Sequence, residues 1–254
     1  MNGRSAVAVV GVVALVAAVA PARATRRPTL VVPILMYHRI DVLDQSLPPM
    51  TRRLTVAPAD FARQMRWLRR NGYHTLTQRE LLDALMRGRD PGPKPIVITF
   101  DDGYRDVLTY ASPGLAQLGM HAISYVITSR ISNGDPSFLT WSQLRALEQR
   151  GIEIGSHTVR HRDLTTLPDA ELRAELVRSR LALERVLGHG VPWLAYPYGA
   201  CDARVTRFAR RAGYVLAVTT RPGTVQAAAA PLELRRLSVT DSTRVSGLAA
   251  MLGR

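Results

Sequence analysis

Cysteine is almost absent from this sequence, since Cys201 is the only one in 254 residues. An intramolecular disulfide is therefore excluded, and with it a disulfide-stapled scaffold. A domain of about 200 residues buries enough apolar surface to be stable without such a bond. No base stands beside Cys201 in the sequence, so we interpret it as a structural thiol rather than a nucleophile.

Several recognisable motifs are also missing. No glycine-rich dinucleotide loop follows any predicted strand, which argues against a Rossmann fold. No nucleic-acid-binding motif accompanies the basic charge, so we expect no nucleic-acid partner. The only low-complexity tract is the short run Ala227–Ala230, which predicts a loop. With 46% hydrophobic residues, the chain is expected to be globular with one sizeable core.

The charge is strongly one-sided. Lysine and arginine total 34 against 20 acidic residues, for a net charge of +14, and Lys94 is the only lysine. Two of the arginines lie in the first 24 residues, so the remainder carries +12. Two interpretations stay open: attraction to an anionic cell-envelope polymer or lipid, or a compositional bias toward arginine that yields a solvated basic surface. No stable protein partner is implied.

The first 24 residues form a unit of their own. Arg4 precedes an uncharged apolar run, Ala6–Ala20, and Ala22-Arg23-Ala24 follows. A basic start, an apolar stretch of about 15 residues and an A-x-A site are typical of a secretory signal peptide. We predict cleavage after Ala24 and a single domain over 25–254. An uncleaved anchor is the alternative, because about 17–20 apolar residues can span a bilayer. Both predict an extracytoplasmic or secreted domain.

Short apolar runs alternate with amphipathic segments through the rest of the chain. The runs are Leu30–Met36, Ile96–Phe100, Ala122–Ile127, Ile152–Gly155, Trp193–Tyr196, Tyr214–Val218 and Leu234–Val239. Between them, as in Ala57–Arg70, apolar residues recur at helical spacing. This alternation predicts an α/β fold with parallel strands and crossover helices. About seven such units favour a (β/α) barrel over an open doubly wound sheet.

Three of the predicted strands are followed by polar residues, and the first of these segments is Thr99-Phe100-Asp101-Asp102-Gly103. In a parallel barrel, functional residues cluster where the strands end. Neighbouring strand residues point to opposite faces, so Asp101 and Asp102 converge only if the chain turns, and Gly103 gives it that freedom. Two carboxylates in one pocket repel unless a cation or a proton neutralises one. A surface Asp-Asp-Gly turn is the alternative.

The second polar strand end is Ser156–His161. His157 and His161 are four residues apart and can lie on one face of a helical turn, close enough to share a metal ion. One carboxylate with two imidazoles makes a three-ligand set that leaves positions open for water, as catalytic metal sites do. An incidental histidine pair is the alternative.

The third is the turn Ala195–Gly199. Pro197 and Gly199 constrain the backbone tightly here, so the Tyr198 N–H could be aimed at a reacting oxygen. Aromatic–proline turns are common in proteins, and this motif alone is a weak signal.

Taken in order, TFDDG, SHTVRH and PYG resemble the motifs of polysaccharide deacetylases that share the NodB homology domain, carbohydrate esterase family 4. The context Leu139–Trp141 and Glu153–Gly155 is similar too, so the resemblance covers essentially the whole chain after the leader. The opening Pro33–His38 resembles the branch that deacetylates poly-β-1,6-N-acetylglucosamine. The resemblance implies a deformed (β/α) barrel and a metal-dependent hydrolase that removes N-acetyl groups from an extracellular or cell-wall polysaccharide.

The resemblance also assigns roles to individual residues. It implies Asp101 as the catalytic base and the Tyr198 backbone as an oxyanion donor. It implies a divalent metal, with zinc expected, bound by Asp102, His157 and His161.

Two departures from the family pattern affect these assignments. Many members have an arginine where this chain has Ala195, and that arginine tethers the catalytic aspartate. Many also carry a general-acid histidine near the C-terminus, whereas Leu232–Asp241 contains none. His38 follows a strand-like run, and in the poly-N-acetylglucosamine branch a histidine there fills the acid role. We therefore expect His38 to be the general acid and the remaining candidates to be structural: His74, His121 and His189.

The departures keep other functions open. A catalytically impaired, metal-containing module that binds glycan is one. An O-acetyl esterase, or a hydrolase of another carbon–nitrogen bond on the same scaffold, is another.

Overall fold

The computed structural model describes residue 3 and residues 29–253. The predicted leader and its cleavage site therefore lie outside the described residues, apart from residue 3. Within residues 29–253 there is no helix with the length and apolar character that a bilayer crossing requires.

The described chain forms twelve strands and nine α-helices. The strands are β1 Thr29–Val31, β2 Ile34–Tyr37, β3 Arg39–Ile40, β4 Thr55–Val56, β5 His74–Thr75, β6 Pro95–Phe100, β7 Ala122–Val126, β8 Ile152–Ser156, β9 Trp193–Ala195, β10 Leu216–Pro222, β11 Val225–Ala227 and β12 Leu234–Ser238. The helices are α1 Pro49–Arg53, α2 Pro58–Arg70, α3 Gln78–Arg87, α4 Ser112–Gln117, α5 Thr128–Ser132, α6 Trp141–Glu148, α7 Asp169–Leu187, α8 Ala203–Arg211 and α9 Val245–Met251. A π-helical turn, Val107–Ala111, leads into α4.

Seven parallel strands close into a barrel in the order β2, β12, β10, β9, β8, β7, β6 and back to β2. The closing pair is in register, with Met36 opposite Thr99. The predicted (β/α) barrel in a single domain is confirmed. The run Leu30–Met36 is divided into β1 and β2, and Pro33, which has no N–H to donate, lies between them.

Strand residues alternate between two environments, as the two-residue period of a strand requires. Ile34, Val97 and Leu234 belong to one buried cluster with residues of neighbouring strands, which fills the barrel interior. Leu35 and Ile98 belong to a second cluster that packs against helix residues such as those of α2. The same alternation places Thr99 and Asp101, two and four positions after Val97, on the interior face. It also places Arg236, two positions after Leu234, on that face.

Side-chain caps define where two helices start. The Thr77 hydroxyl accepts the Glu80 N–H at 3.2 Å while the Glu80 carboxylate accepts the Thr77 N–H at 2.8 Å, so α3 begins with a capping box. Thr140 and Gln143 repeat the arrangement at α6. These caps determine the residues at which the two helices begin.

Glu153, near the start of β8, makes stability depend on pH. Its carboxylate accepts the Gln78 N–H at 2.7 Å. Burial raises the pKa of Glu153 to about 7, and the neighbouring carboxylates of Glu80 and Glu148 raise it further. The unfolded value is about 4.3. The folded state therefore holds the proton more tightly, and stability falls as pH rises from about 4.3 to about 7.

We expect E153Q to match the parent protein at pH 4 and to be more stable at pH 8 by of order 1–3 kcal/mol, because glutamine keeps the hydrogen-bond acceptor without the buried charge. Urea unfolding at the two pH values measures this. E171Q, at an exposed position on α7, is the control and should show no such difference. Equal stability of E153Q and the parent at pH 8 would contradict the prediction.

Candidate metal centre and active site

Asp102, His157 and His161 converge at the barrel mouth. Asp102 follows β6, and the two histidines lie in the loop after β8. Asp102 Oδ1 is 3.5 Å from His157 Nε2 and 3.7 Å from His161 Nε2. One ligand atom from each residue lies within 4.8 Å of the others, and no other group of this kind occurs among residues 29–253.

The geometry of these three side chains fits one divalent cation. Nitrogen and oxygen ligands bound to one zinc ion at about 2.0–2.2 Å lie roughly 3–3.5 Å apart in a tetrahedral site. Burial raises the pKa of Asp102 to about 7, with a further contribution from the Asp101 charge. Burial lowers the pKa of both histidines, to about 4 for His161. Neutral imidazoles beside a carboxylate that resists ionisation form a site that a cation would stabilise.

Left-handed backbone conformations produce this convergence. Asp102, Thr158, His161 and Tyr198 have φ values of 70°, 68°, 56° and 58°, and they are four of the five non-glycine residues with positive φ in the described chain. Each costs of order 1–3 kcal/mol, and such residues concentrate at functional sites. At Gly103, with φ of 82°, a Cβ would lie 2.8 Å from Val126 Cγ1, so glycine is required there.

The predicted helical turn over His157 and His161 is wrong. Residues 157–163 form an irregular loop. The imidazoles meet because Thr158 and His161 reverse the chain, not because a helix presents them on one face.

Buried contacts hold this loop. The carboxylate of Glu175, on α7, accepts the N–H groups of Val159 at 2.9 Å and Arg160 at 2.8 Å. His157 Nδ1 lies 2.8 Å from the Ala195 carbonyl oxygen. A proton on Nδ1 donates to that carbonyl and leaves Nε2 free as a ligand atom. Glu175 gives no sequence signal, because it is one acidic residue among several on an amphipathic helix.

Arg236 is the residue of the candidate site that sequence reasoning missed. It is 1% exposed, and its guanidinium binds Asp101 through two bonds, Nη1 to Oδ1 at 2.8 Å and Nη2 to Oδ2 at 2.7 Å. It also donates to the Thr99 hydroxyl at 3.0 Å and the Thr219 carbonyl at 2.8 Å. Burial alone would raise the pKa of Asp101, but the Arg236 guanidinium holds it well below its usual range.

This ion pair accounts for the missing arginine at position 195. The tether comes from β12 instead of from the strand that carries Ala195. A signal was present in the sequence. In β12, Leu234 and Arg236 are buried while Arg235 is exposed. An arginine on the inward side of an apolar strand requires a buried partner.

His38 lies between β2 and β3, largely buried, and its Nδ1 has no hydrogen-bond partner among the described residues. Burial lowers the pKa of His38 while the Asp101 charge opposes that shift, so the two groups share one electrostatic environment. Asp106 connects the strand after His38 to the turn that carries Asp101. Its carboxylate accepts the Ile40 N–H at 3.0 Å and the Arg39 Nε–H at 3.2 Å.

The other candidate histidines make local contacts. His74 Nε2 lies 2.6 Å from the Pro91 carbonyl oxygen, and His189 Nε2 lies 3.0 Å from a Glu148 carboxylate oxygen. His121 lies beside Gly151. None of the three belongs to the metal-ligand group of the described chain.

The turn Pro197–Gly199 lies beside His161, a candidate metal ligand. The Tyr198 ring is 65% exposed and meets the His161 ring edge-on, with 4.6 Å between ring centroids. Gly199 has a φ of 69°, and a Cβ there would collide with Thr220. The turn therefore places the Tyr198 side chain against His161, one of the three candidate ligands.

Comparison with known proteins identifies the family. The family model described as polysaccharide deacetylase matches residues 88–217. The Bacillus subtilis protein YxkH, whose name assigns it to the polysaccharide deacetylases, is 32% identical over 220 residues, which is 87% of this chain and 75% of that protein. This chain belongs to the polysaccharide deacetylase family. It is thus a hydrolase of the class that acts on carbon–nitrogen bonds, and the resemblance drawn from the sequence motifs is confirmed.

Two further relatives of this polysaccharide deacetylase are a solved structure and an Escherichia coli protein. The structure of the Streptococcus pyogenes deacetylase PplD superposes with a TM-score of 0.81 at 30% identity, covering 88% of this chain and 99% of that one. The Escherichia coli poly-β-1,6-N-acetyl-D-glucosamine N-deacetylase is 31% identical over 121 residues. That match covers 42% of this chain and 18% of the larger E. coli protein.

Proposed function

We propose that this protein removes N-acetyl groups from a polysaccharide of the N-acetylglucosamine type, with a divalent cation bound by Asp102, His157 and His161. The observation that supports this proposal most directly is the convergence of these three side chains at the barrel mouth. Asp101, ionised and bound by Arg236, lies at the same mouth. The names of relatives support the substrate class. One is the E. coli N-deacetylase, and another is a chitin deacetylase of Pestalotiopsis, 28% identical over 111 residues.

A cation held by these residues would supply Lewis acidity toward the acetyl carbonyl and would lower the pKa of water to about 7. Zinc suits two imidazoles and a carboxylate. Asp101 is held ionised, so it accepts the proton of the attacking water. The Tyr198 N–H stabilises the developing oxyanion, a contribution of about 3–4 kcal/mol for a well-placed donor.

His38 supplies the last proton. The departing sugar amine is a poor leaving group, so it needs a proton more than the alcohol of an ester does. Burial disfavours the imidazolium form of His38, and the nearby Asp101 charge favours it. An acid at this position is the reason that the proposal specifies N-acetyl rather than O-acetyl groups.

The proposal places the enzyme outside the cytoplasm. It rests on the signal-peptide pattern of residues 1–24 and agrees with the charge of +12 on the remaining residues, which favours contact with anionic envelope polymers.

Acetate release tests the proposed activity. The panel contains poly-β-1,6-N-acetylglucosamine, chitin oligomers, peptidoglycan fragments and O-acetylated xylan, each assayed with chelator and after reconstitution with Zn²⁺, Co²⁺ or Mn²⁺. We expect metal-dependent release from an N-acetylated glycan and slower release from the xylan. A metal-loaded protein that binds glycan without releasing acetate would instead be a binding module.

His157→Ala tests the metal site directly. Loss of one of three protein ligands is expected to weaken metal binding more than about 100-fold, beyond the effect of losing a supporting partner, and activity should fall with it. Metal content by mass spectrometry after dialysis measures this. His189→Ala, which removes a histidine paired with Glu148 outside the site, is the matched control. Full metal content in His157→Ala would refute the ligand assignment.

A further inference from the structure

Three cavities outside the metal centre adjoin one another. The first, about 430 Å³, is lined by residues that include Arg39, Arg105 and Tyr110. Arg39 follows His38 directly and Arg105 comes three residues after Asp102, so this cavity opens beside the barrel mouth.

Shared wall residues link this cavity to the other two. Tyr110, 43% exposed, also lines the second cavity, about 340 Å³, between α2 and α4. Arg66 lines both the second cavity and the third, about 440 Å³, which includes Arg63, Trp67 and Arg70. The concave surface thus runs from the mouth to the outer face of α2; we call these three cavities the α2 groove.

Positive charge concentrates at the far end of the α2 groove. Helix α2 carries four arginines and a single acidic residue, Asp60, which pairs with Arg63 at 2.6 Å and with Arg244 at 3.5 Å. Arg66 and Arg70 are exposed, and neither has a carboxylate within 4.0 Å among the described residues. From Arg63 to Arg70 the helix rises about 10 Å.

These side chains suit an anionic carbohydrate chain. Guanidinium groups bind carboxylate and phosphate oxygens in paired hydrogen bonds. Trp67 and Tyr110 provide apolar ring surface in the same groove. A single occupant that reaches both the mouth and α2 must be extended and flexible. A membrane surface is broad and would contact convex faces rather than follow connected cavities.

We propose that the α2 groove binds the polysaccharide substrate away from the reacting sugar, and that this substrate carries anionic groups, carboxylates or phosphodiesters, along its chain. The inference rests on the proposed deacetylase function and adds the substrate's charge and length to it. Arg66 and Arg70 bind the anionic groups, so long acidic chains are bound more tightly than short neutral ones.

The double variant R66Q/R70Q tests this proposal against R173Q/R211Q. Arg173 and Arg211 are also exposed and line a cavity of about 330 Å³ between α7 and α8, so this control removes the same charge elsewhere. The binding probes are hyaluronan for carboxylates, poly(glycerol phosphate) for phosphodiesters, phosphatidylglycerol vesicles for a membrane surface, and a neutral chitin hexamer. Acetate release from the hexamer is followed in parallel.

We expect R66Q/R70Q to weaken binding of an acidic polymer at least tenfold at 0.1 M salt and to reduce the salt dependence of that binding. Binding and turnover of the hexamer should stay within twofold of the parent, and R173Q/R211Q should stay within twofold throughout. The relative loss for hyaluronan and poly(glycerol phosphate) distinguishes the two anionic groups.

Unchanged polymer binding by R66Q/R70Q would overturn the proposal, and so would equal losses in the two double variants, which would indicate nonspecific charge attraction. Loss of binding to phosphatidylglycerol vesicles with polymer binding retained would assign the arginines to a membrane surface instead. The polymer and vesicle experiments measure binding and do not depend on turnover. If no N-acetylated glycan of the panel above yields acetate with the parent protein, the proposed function fails while the binding result still decides the role of the groove.

Discussion

Replacing Asp101 with asparagine is expected to lower kcat by about 10²–10⁴-fold, the usual contribution of a general base, while the protein keeps its metal. Asparagine has nearly the same shape as aspartate but cannot accept a proton at neutral pH. The ligand atoms of Asp102, His157 and His161 are untouched by the change.

The variant should also be less stable, because the Arg236 guanidinium loses its counter-charge in a buried site. Turnover at saturating metal, metal content and urea unfolding together separate these effects. D102N is the informative comparison, since it should lose the metal as well as activity. Parental kcat in D101N would remove Asp101 from the role of base.

Replacing Arg236 with methionine is expected to have the largest effect on stability, about 3–5 kcal/mol, because it leaves a buried carboxylate unpaired. Methionine keeps much of the side-chain length without the charge. In the variant the pKa of Asp101 should rise, because burial acts without the opposing guanidinium. The base would then hold its own proton over part of the working range, so kcat should fall too.

The loss of stability in R236M should depend on pH. In the parent, the lowered pKa of Asp101 contributes stability that is present above the unfolded value of about 3.9 and is lost as pH falls below it. In R236M, proton uptake relieves the buried charge. The stability difference between parent and variant should therefore shrink from pH 8 toward pH 5.

Two further variants test whether Asp101 and Arg236 act as an ion pair. D101N/R236M removes both charges and should recover part of the loss, because no unpaired ion remains. R236K keeps a charge but not the two parallel bonds and should fall between parent and R236M. If R236M unfolds within about 1 kcal/mol of the parent, or if D101N does not reduce its effect, Arg236 is not the electrostatic partner of Asp101.

The sequence alone was sufficient to predict the architecture and to select the three candidate ligands that converge at the barrel mouth. Apolar runs at strand length between segments of helical spacing identified the barrel, because burial on both faces of a parallel strand leaves a local pattern. TFDDG and the histidines after Ile152–Gly155 were identifiable because they follow such runs directly. Each of these signals is local, because it is contained in a few consecutive residues.

What the sequence left undetermined is how distant segments meet. Asp101 and Arg236 are 135 positions apart, and a shift of one residue in the register of β12 would turn Arg236 out of the barrel. The loop of His157 and His161 is shaped by left-handed residues and by Glu175, rather than by the predicted helical turn. Contacts between strands depend on the closure and register of the barrel, so only the tertiary structure decided which side chain holds the candidate base and how the ligands converge.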